Sequence, residues 1–328
     1  QLAFAASQLA IDHSGWGERM PAAVGSELEP SDMGAVFGSE MFYGLPTEME
    51  DVIKHCMRPD GTVDGSKFGG MAMRDVMPLW MLKYLPNMPA CHVGIALNAH
   101  GPNNTLVVGD VSGPSALIEA VSYLKRGIAK VMVCGAQGTK INTTRMNYRG
   151  DLPIPAVADP VSHSSQPHVP TSIGVVGGEA AAAMILELES EAADRGASPV
   201  ARIRSSASRF RPALGMKQPK RVCQTDATGM RGSADAIRLA IDAAIAEAGL
   251  SPEDIGLIVS HAMGDPVIDV AEREAIAGPL AEVPMIAPGA SVGHTGAASG
   301  QMGIVVGAMA LAKKMIPPTL NAAAADAP

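Results

Sequence analysis

The chain has 328 residues, of which 47% are hydrophobic and 18% charged, a composition typical of a folded globular protein with one large domain or two closely joined ones. Its formal net charge of −8 argues against a general nucleic-acid binder. The longest apolar runs, such as residues 302–312, are shorter than the roughly 18 to 20 residues of a membrane span, and the sequence predicts neither a span nor a signal peptide.

The cysteines of the chain are widely spaced and include no C-x-x-C pair, so neither a zinc site nor a disulfide framework is predicted: Cys56, Cys91, Cys134 and Cys223. Unpaired thiols are typical of a reducing compartment, and the sequence therefore favours the cytoplasm. Aromatic residues are only 3% of the chain, whereas it contains 35 Gly and 20 Met. We therefore expect close backbone approach and flexible thioether packing in the core.

The first segments of the chain alternate between helix and strand. Residues 4–16 read as a helix, and residues 31–41 contain a buried strand. Residues 91–99, CHVGIALNA, are predicted to form an apolar strand that begins at Cys91 and His92. These two residues are interpreted as part of the core rather than as a catalytic dyad.

Residues 101–133 read as a strand, a Gly/Pro/Ser-rich turn, a helix and a second strand, with Asp110 between the first strand and the helix. Asp is among the preferred N-cap residues, so we expect Asp110 to accept N–H groups of the first helical turn. Enzymes also place nucleophiles at such junctions, because the helix N-terminus stabilises negative charge. The serine-hydrolase motif G-x-S-x-G does not fit, since it would place Val111 at its centre.

A Pro/Ser-rich loop follows and contains His163 and His168, which lack a third metal ligand at standard spacing and are interpreted as loop polarity. Gly174, Gly177 and Gly178 do not form the G-x-G-x-x-G pattern of a dinucleotide-binding turn. The sequence therefore predicts no cofactor and no metal.

The stretch from Arg202 to Arg221 is basic, with seven Lys or Arg residues and no acidic residue. Such a stretch either steers an acidic macromolecule to the surface or forms an ordinary solvated loop, and the sequence leaves both interpretations open. Its basic residues are Arg202, Arg204, Arg209, Arg211, Lys217, Lys220 and Arg221.

The last part of the chain repeats the order of the first. Residues 234–263 read as helix, turn and buried strand, and residues 283–320 as strand, Gly-rich turn, helix and a final strand in MIPPTL. This repetition predicts a duplicated α/β fold. Because the strands are nearly continuous apolar runs that alternate with helices, we expect a five-layer α/β/α/β/α architecture with two mixed, mostly parallel sheets.

A duplicated fold of this kind brings strand ends of its two halves to one pocket. Asp110 of the first copy would then lie close to His294 in GASVGHTG of the second copy. A further strand end supplies His261 in VSHAMGD. The sequence therefore predicts a site that contains Asp110, His261 and His294.

The same segments resemble the β-ketoacyl synthase (condensing enzyme) family of the thiolase fold. GPNNTLVVGDVSGPSALIEA is similar to the segment around that family's active-site cysteine, and residues 174–197 are similar to its Gly-Glu-Gly segment. AGLSPEDIGLIVSHAMGDPVIDVAEREAI and SVGHTGAASG are similar to the segments that hold its two catalytic histidines, and IPPTLN is a further match. The resemblance covers nearly the whole chain and implies two thiolase-like halves, residues 1–198 and 199–328.

The resemblance implies that His261 and His294 occupy the positions of the histidines that promote decarboxylation of malonyl-carrier protein and stabilise the enolate. Asp110 stands at the position of the family's cysteine, and Gly289 at the position of its lysine. The His-Gly-Thr that usually follows the first histidine position reads His261-Ala262-Met263. The chain also begins after the family's first strand and helix and ends before its C-terminal Gly-Phe-Gly-Gly segment.

With these departures, the resemblance implies a ketosynthase homologue that does not elongate acyl chains by itself. It would resemble a chain-length factor of fatty-acid or polyketide biosynthesis and bind acyl carrier protein or an acyl chain. The family further implies a homodimer, or a heterodimer with an active ketosynthase, in which residues 105–109 pair across the two-fold axis. The alternative is an active decarboxylase, hydrolase or atypical acyltransferase on acyl thioesters that uses Asp110, His261 and His294.

Overall fold

A computed structural model gives the structure of residues 1–20, 28–147, 154, 157–172, 174–211 and 234–322. Its N-terminal part contains α1 (Leu2–Ser14), β1 (Met33–Gly38), α2 (Glu50–Cys56), α3 (Gly65–Asp75), α4 (Met88–Ala96), β2 (Asn103–Leu106), α5 (Ser112–Lys125), β3 (Val131–Thr139), α6 (Thr143–Asn147), β4 (Glu179–Glu187) and α7 (Glu189–Asp194). Its C-terminal part contains α8 (Ala234–Ala248), β5 (Ile258–Val259), α9 (Pro266–Ile276), β6 (Met285–Ile286), α10 (Gly289–Val292) and α11 (Ser299–Lys313). The helix and strand order predicted for residues 4–41 and 101–133 is confirmed.

The larger sheet has the strand order β2-β1-β3-β4. Strands β2, β1 and β3 are parallel, and β4 pairs antiparallel with β3. Every residue of β1 is buried, which explains its uninterrupted apolar sequence, because helices cover both faces of a parallel sheet. The sheet is mixed and mostly parallel, as the sequence predicts.

The two faces of this sheet pack against different helices. Met33, Ala35 and Phe37 of β1 belong to a buried cluster with residues of α1 and α4. Val36 faces the other way and packs with Ala116 and other residues of α5, with α11 at the edge of that cluster. The side chain of Val259 in β5 lies against Gly303 and Gly307 of α11. Helix α11 therefore contacts both sheets.

The second sheet is small in the part of the chain that the structure describes. It contains only β5 and β6, which pair in parallel over two residues each. The strand predicted in MIPPTL is wrong, because residues 315–320 form no strand. Pro317 and Pro318 lack the N–H groups that a ladder needs, and the side chain of Thr319 accepts a hydrogen bond from the Ala287 N–H instead, at 3.1 Å.

The strand predicted for residues 91–99 is also wrong, because this segment lies mainly in α4. The buried positions Ala90, Val93, Gly94 and Leu97 follow the spacing of one helix face, not the alternation of a strand. A short apolar run is compatible with either element, and Pro89 in the first turn starts the helix here. Cys91 is half-buried and His92 is exposed, away from the strand ends.

Across the described ranges, no helix combines the length and the apolar character that a bilayer span requires.

Candidate active site

Asp110 lies between β2 and α5, in a short 3-10 turn over residues 109–111. The predicted capping role is wrong: the residue at the N-cap of α5 is Val111, and no side chain caps this helix end. The hydroxyl of Ser112 takes part in the turn instead, since it accepts from the Val108 N–H at 3.0 Å and donates to the Gly109 carbonyl at 2.5 Å. The carboxylate of Asp110 is therefore left to interact with the C-terminal part of the chain.

His294 is held by backbone hydrogen bonds to the N-terminal part of the chain. Its N–H donates to the carbonyl of Val176 at 2.8 Å, and its carbonyl accepts from the Gly178 N–H at 2.9 Å. The residue is almost completely buried, with 4% of its surface exposed. Both the position and the orientation of this histidine thus depend on the contact between the two parts of the chain.

His261 lies two residues after the end of β5, and a carboxylate on α9 fixes its backbone. The N–H of His261 donates to Oε1 of Glu272 at 3.0 Å, and Ser260 donates its hydroxyl proton to Oε2 of Glu272 at 2.7 Å. One carboxylate therefore binds two successive residues at the end of the strand. The side chain of His261 stays one-third exposed.

The structure brings Asp110, His261 and His294 together, as the sequence predicts. Oδ2 of Asp110 lies 3.0 Å from Nε2 of His294 and 3.4 Å from Nε2 of His261. The two imidazole rings are nearly perpendicular, with centroids 6.3 Å apart. A single carboxylate oxygen thus bridges two histidines, and a catalytic role for the three residues stays a prediction.

The charges of this cluster are strongly coupled. Burial raises the pKa of Asp110, but the hydrogen bonds from His261 and His294 outweigh burial and hold this pKa well below its usual range. Burial lowers the pKa of His261, yet the hydrogen bond and the charge of Asp110, together with the charges of Glu272 and Asp269, give a net increase. Asp110 is therefore ionised and favours an imidazolium at His261.

We expect Asp110→Asn to lower the pKa of His261, because the hydrogen bond and the charge of Asp110 are the largest effects that oppose burial at this ring. The pH titration of the His261 ring proton in NMR spectra measures this change. Asp12→Asn, at an exposed position of α1, is the matched control and should leave the titration unchanged. An unchanged titration in Asp110→Asn would show that Asp110 and His261 do not form an ion pair in solution.

The departures from the family pattern are accommodated by local packing. A Cβ atom at Gly289 would lie 2.7 Å from the carbonyl oxygen of Ala262, so a lysine cannot occupy this position without a backbone shift. The Gly289 carbonyl also accepts a hydrogen bond from Ser165 at 2.9 Å. Met263 is buried, and its N–H donates to Asp269 at 3.0 Å. The positions of the missing lysine and threonine thus serve packing in this chain.

His168 has a more specific environment than the predicted loop polarity, and that prediction is wrong for this residue. Its Nε2 lies 2.7 Å from the hydroxyl of Ser260, which also bonds Glu272, and its N–H donates to Asp269 at 2.9 Å. Burial lowers the pKa of His168 despite the two nearby carboxylates, so the ring is neutral near pH 7. His163 is exposed and does not join this network.

Sequence reasoning missed the supporting residues Ser260 and Glu272. Their positions in the sequence could have indicated them, because Ser260 directly precedes His261 and Glu272 lies on α9, the helix that follows His261. Together with His168, these residues form a hydrogen-bonded chain that ends at the backbone of His261. This chain fixes the strand end that carries the histidine.

A cavity of about 180 Å³ opens beside the cluster. Lys140 and Arg145 line this cavity, and both side chains lie near Glu40. Oε2 of Glu40 is 2.5 Å from Nζ of Lys140 and 3.5 Å from a guanidinium nitrogen of Arg145. Glu40 thereby compensates part of the positive charge at the cavity. The residues that line it are Asp110, Lys140, Arg145, Met146, Val175, Gly177 and His294.

The described cysteines do not supply a replacement nucleophile at this cavity. Burial raises the pKa of the Cys134 thiol to about 12, and Cys56 is also buried. Cys91 is half-buried on α4, and none of these three residues lines the cavity. Cys223 lies outside the described residues, as do Lys217, Lys220 and Arg221 of the basic stretch.

Sequence comparisons match both parts of the chain to one family. The family description "Beta-ketoacyl synthase, N-terminal domain" matches residues 1–192, and "Beta-ketoacyl synthase, C-terminal domain" matches residues 221–323. The chain is 33% identical over 253 residues to 3-oxoacyl-[acyl-carrier-protein] synthase 2 of Mycobacterium leprae, which covers 76% of this chain and 57% of that protein. It is 31% identical over 275 residues to putative polyketide beta-ketoacyl synthase 1 of Streptomyces virginiae, with coverages of 79% and 59%.

Solved structures agree on the fold. A beta-ketoacyl synthase from Burkholderia phymatum superposes with a TM-score of 0.74 at 22% identity, over 98% of this chain and 71% of that chain. The ishigamide ketosynthase/chain length factor superposes with a TM-score of 0.72 at 18% identity, also over 98% of this chain and 71% of that chain.

The chain has the thiolase fold of these solved ketosynthases. The chain belongs to the β-ketoacyl synthase family. It spans about 57% to 59% of the length of the two curated relatives above.

Proposed function

We propose that this protein is a ketosynthase-family subunit of fatty-acid or polyketide biosynthesis that does not elongate acyl chains by itself. The observation that carries the proposal is the ionised carboxylate of Asp110 at the nucleophile position, 3.0 Å from His294 and 3.4 Å from His261. Its two family matches support a division into the halves 1–198 and 199–328. A cytoplasmic location, favoured by the unpaired thiols, is part of the proposal.

Carboxylate chemistry explains the expected loss of elongation. A thiol exchanges an acyl group with a thioester at almost no net cost, whereas attack by Asp110 would give a mixed anhydride that water destroys. When His261 and His294 are both neutral, Asp110 also repels the carboxylate of an incoming malonyl group. Two like charges at 4 Å repel by about 4 kcal/mol at an effective dielectric constant of 20.

Two features favour a partner-subunit role. The folds similar to this chain include the ishigamide ketosynthase/chain length factor, PfaC keto synthase-chain length factor, and a type II acyl-carrier protein in complex with its ketosynthase. The basic stretch offers exposed Arg204, Arg209 and Arg211, while Arg202 forms an ion pair with Glu189. An acidic carrier protein is the partner that this surface suits.

The dimer interface that we propose includes β2 and the residues after it. This strand lies at the edge of the sheet, and Val107 and Val108 are 43% and 52% exposed although both are apolar. We expect light scattering to show a dimer at micromolar concentration, and Val107→Glu to weaken it. Leu311→Glu, at a 68% exposed position of α11, is the control and should leave the dimer intact. A monomeric wild-type chain would contradict this interface.

Intact mass measurement after incubation with acyl- and malonyl-carrier protein tests the main proposal. We expect no covalent acyl addition and no elongated product, because the described site has no thiol nucleophile. A cysteine-bearing ketosynthase assayed in parallel is the positive control. Elongation by the unmodified chain alone would refute the proposal.

A second candidate is turnover of acyl thioesters without chain elongation. The observation that favours it is the open cavity beside Asp110 and His294, where a carboxylate and imidazole pair can accept a proton from water or substrate. Release of free acid or carbon dioxide in the same incubation, lost in His294→Ala, would support this alternative.

A further inference from the structure

Asp110, His261 and His294 place three metal-ligating atoms close together. Each residue offers one such atom, and these atoms all lie within 4.8 Å of one another. We propose that the three side chains bind one divalent transition-metal ion of the Zn²⁺ type. This binding function goes beyond the partner-subunit role and does not depend on it.

The donor separations match those of a metal site. With metal–ligand bonds of about 2.0 to 2.2 Å, neighbouring ligands of a tetrahedral zinc ion lie about 3.4 Å apart. Oδ2 of Asp110 is 3.0 Å from one histidine nitrogen and 3.4 Å from the other. The ligand atoms of His261 and His294 lie within 4.8 Å of each other, and the side chain of His261 is one-third exposed.

The ligand types select the class of ion. Two imidazoles and one carboxylate suit Zn²⁺, Co²⁺ or Fe²⁺, whereas Mg²⁺ and Ca²⁺ prefer oxygen ligands alone. A site with three protein ligands also keeps a coordination position for water or another ligand. The cavity beside Asp110 and His294 provides the space for that position.

The surrounding contacts hold the ligands in place before any ion enters. The backbone of His294 is fixed between Val176 and Gly178, and that of His261 by Glu272. Nζ of Lys140, which lines the cavity, lies 2.5 Å from Oε2 of Glu40, and this ion pair reduces the repulsion between Lys140 and an incoming metal ion. Supporting contacts of this kind are a regular part of protein metal sites.

Titration of the chelator-treated full chain with Co²⁺ tests the proposal through visible d–d absorption, and Zn²⁺ is then added as a competitor. We expect one ion per chain and displacement of Co²⁺ by Zn²⁺. Asp110→Ala and His294→Ala should each weaken binding by at least about a hundredfold, the upper end of what loss of a supporting residue costs. His163→Ala, which removes an exposed histidine outside the cluster, should change nothing.

Asp110→Cys keeps the proposal testable if either alanine variant fails to fold. A thiolate at this position should retain Co²⁺ binding and add a sulfur-to-cobalt charge-transfer band, which places the ion at residue 110. No saturable uptake by the folded wild-type chain, equal uptake by a folded Asp110→Ala chain, or a folded Asp110→Cys chain without that band would overturn the proposal. None of these results bears on acylation or partner binding, which are measured separately.

Discussion

Asp110→Cys is expected to convert a chain that takes up no acyl group into one that carries a single acyl group per molecule. The new thiol would stand at the end of β2, just before the N-terminus of α5, where a thiolate is stabilised. His294, whose Nε2 lies 3.0 Å from the present carboxylate, can accept the thiol proton. Intact mass after incubation with an acyl-carrier protein, with a chelator present, measures the change.

Elongation is not expected to return with the thiol. Gly289 and Met263 still stand where the family has a lysine and a threonine, and the space at Gly289 is closed by the carbonyl of Ala262. The acylated variant should therefore give little or no extended product with malonyl-carrier protein. Val111→Cys, at a neighbouring 58% exposed position, is the control for nonspecific acylation. Efficient elongation by Asp110→Cys would mean that the cysteine alone is missing from this site.

The convergence of the three site residues was predictable because each lies in a segment that resembles a family motif. The role of Asp110 at the helix start was not. Helix-capping preference is a local property, whereas the carboxylate bonds His261 and His294, more than 150 residues away along the chain. The hydroxyl of Ser112 makes the hydrogen bonds of the local turn. The sequence alone does not show which of the polar residues in this segment has that role.

The errors outside the site have related causes. Residues 91–99 form a short apolar run, and such a run does not distinguish a helix from a strand without its neighbours. His168 reads as a polar residue of a Pro/Ser-rich loop, but its partners Ser260 and Glu272 come from a strand end and a helix about a hundred residues later. Long-range partners of this kind are set by tertiary packing, and one sequence does not specify them.

Gly178 joins the two parts of the chain at the site. Its N–H donates to the carbonyl of His294 at 2.9 Å, and its carbonyl accepts from the Lys140 N–H at 2.8 Å. A Cβ atom here would lie 1.9 Å from the carbonyl oxygen of Val292 and 3.2 Å from the methyl carbon of Thr295. The close approach of two backbones therefore requires glycine at this position, and it also sets where His294 stands.

Gly178→Ala is accordingly expected to be strongly destabilising. The carbonyl of Val292 is backbone and cannot rotate away, so the segment that carries His294 must shift, at a cost of about 3 kcal/mol in the free energy of unfolding. Denaturant unfolding measures this loss. The NMR titration of His261 should change as well, because displacement of His294 alters the hydrogen bonds of Asp110.

Gly256→Ala provides the matched control for that substitution. No atom lies within 4 Å of an added Cβ at this exposed position, so its effect should stay within about 0.5 kcal/mol. Equal stability of the two variants would mean that the segments of Gly178 and Val292 do not pack as closely in solution. If Gly178→Ala destabilises the chain but leaves the His261 titration unchanged, this glycine is needed for close packing and not for the position of His294.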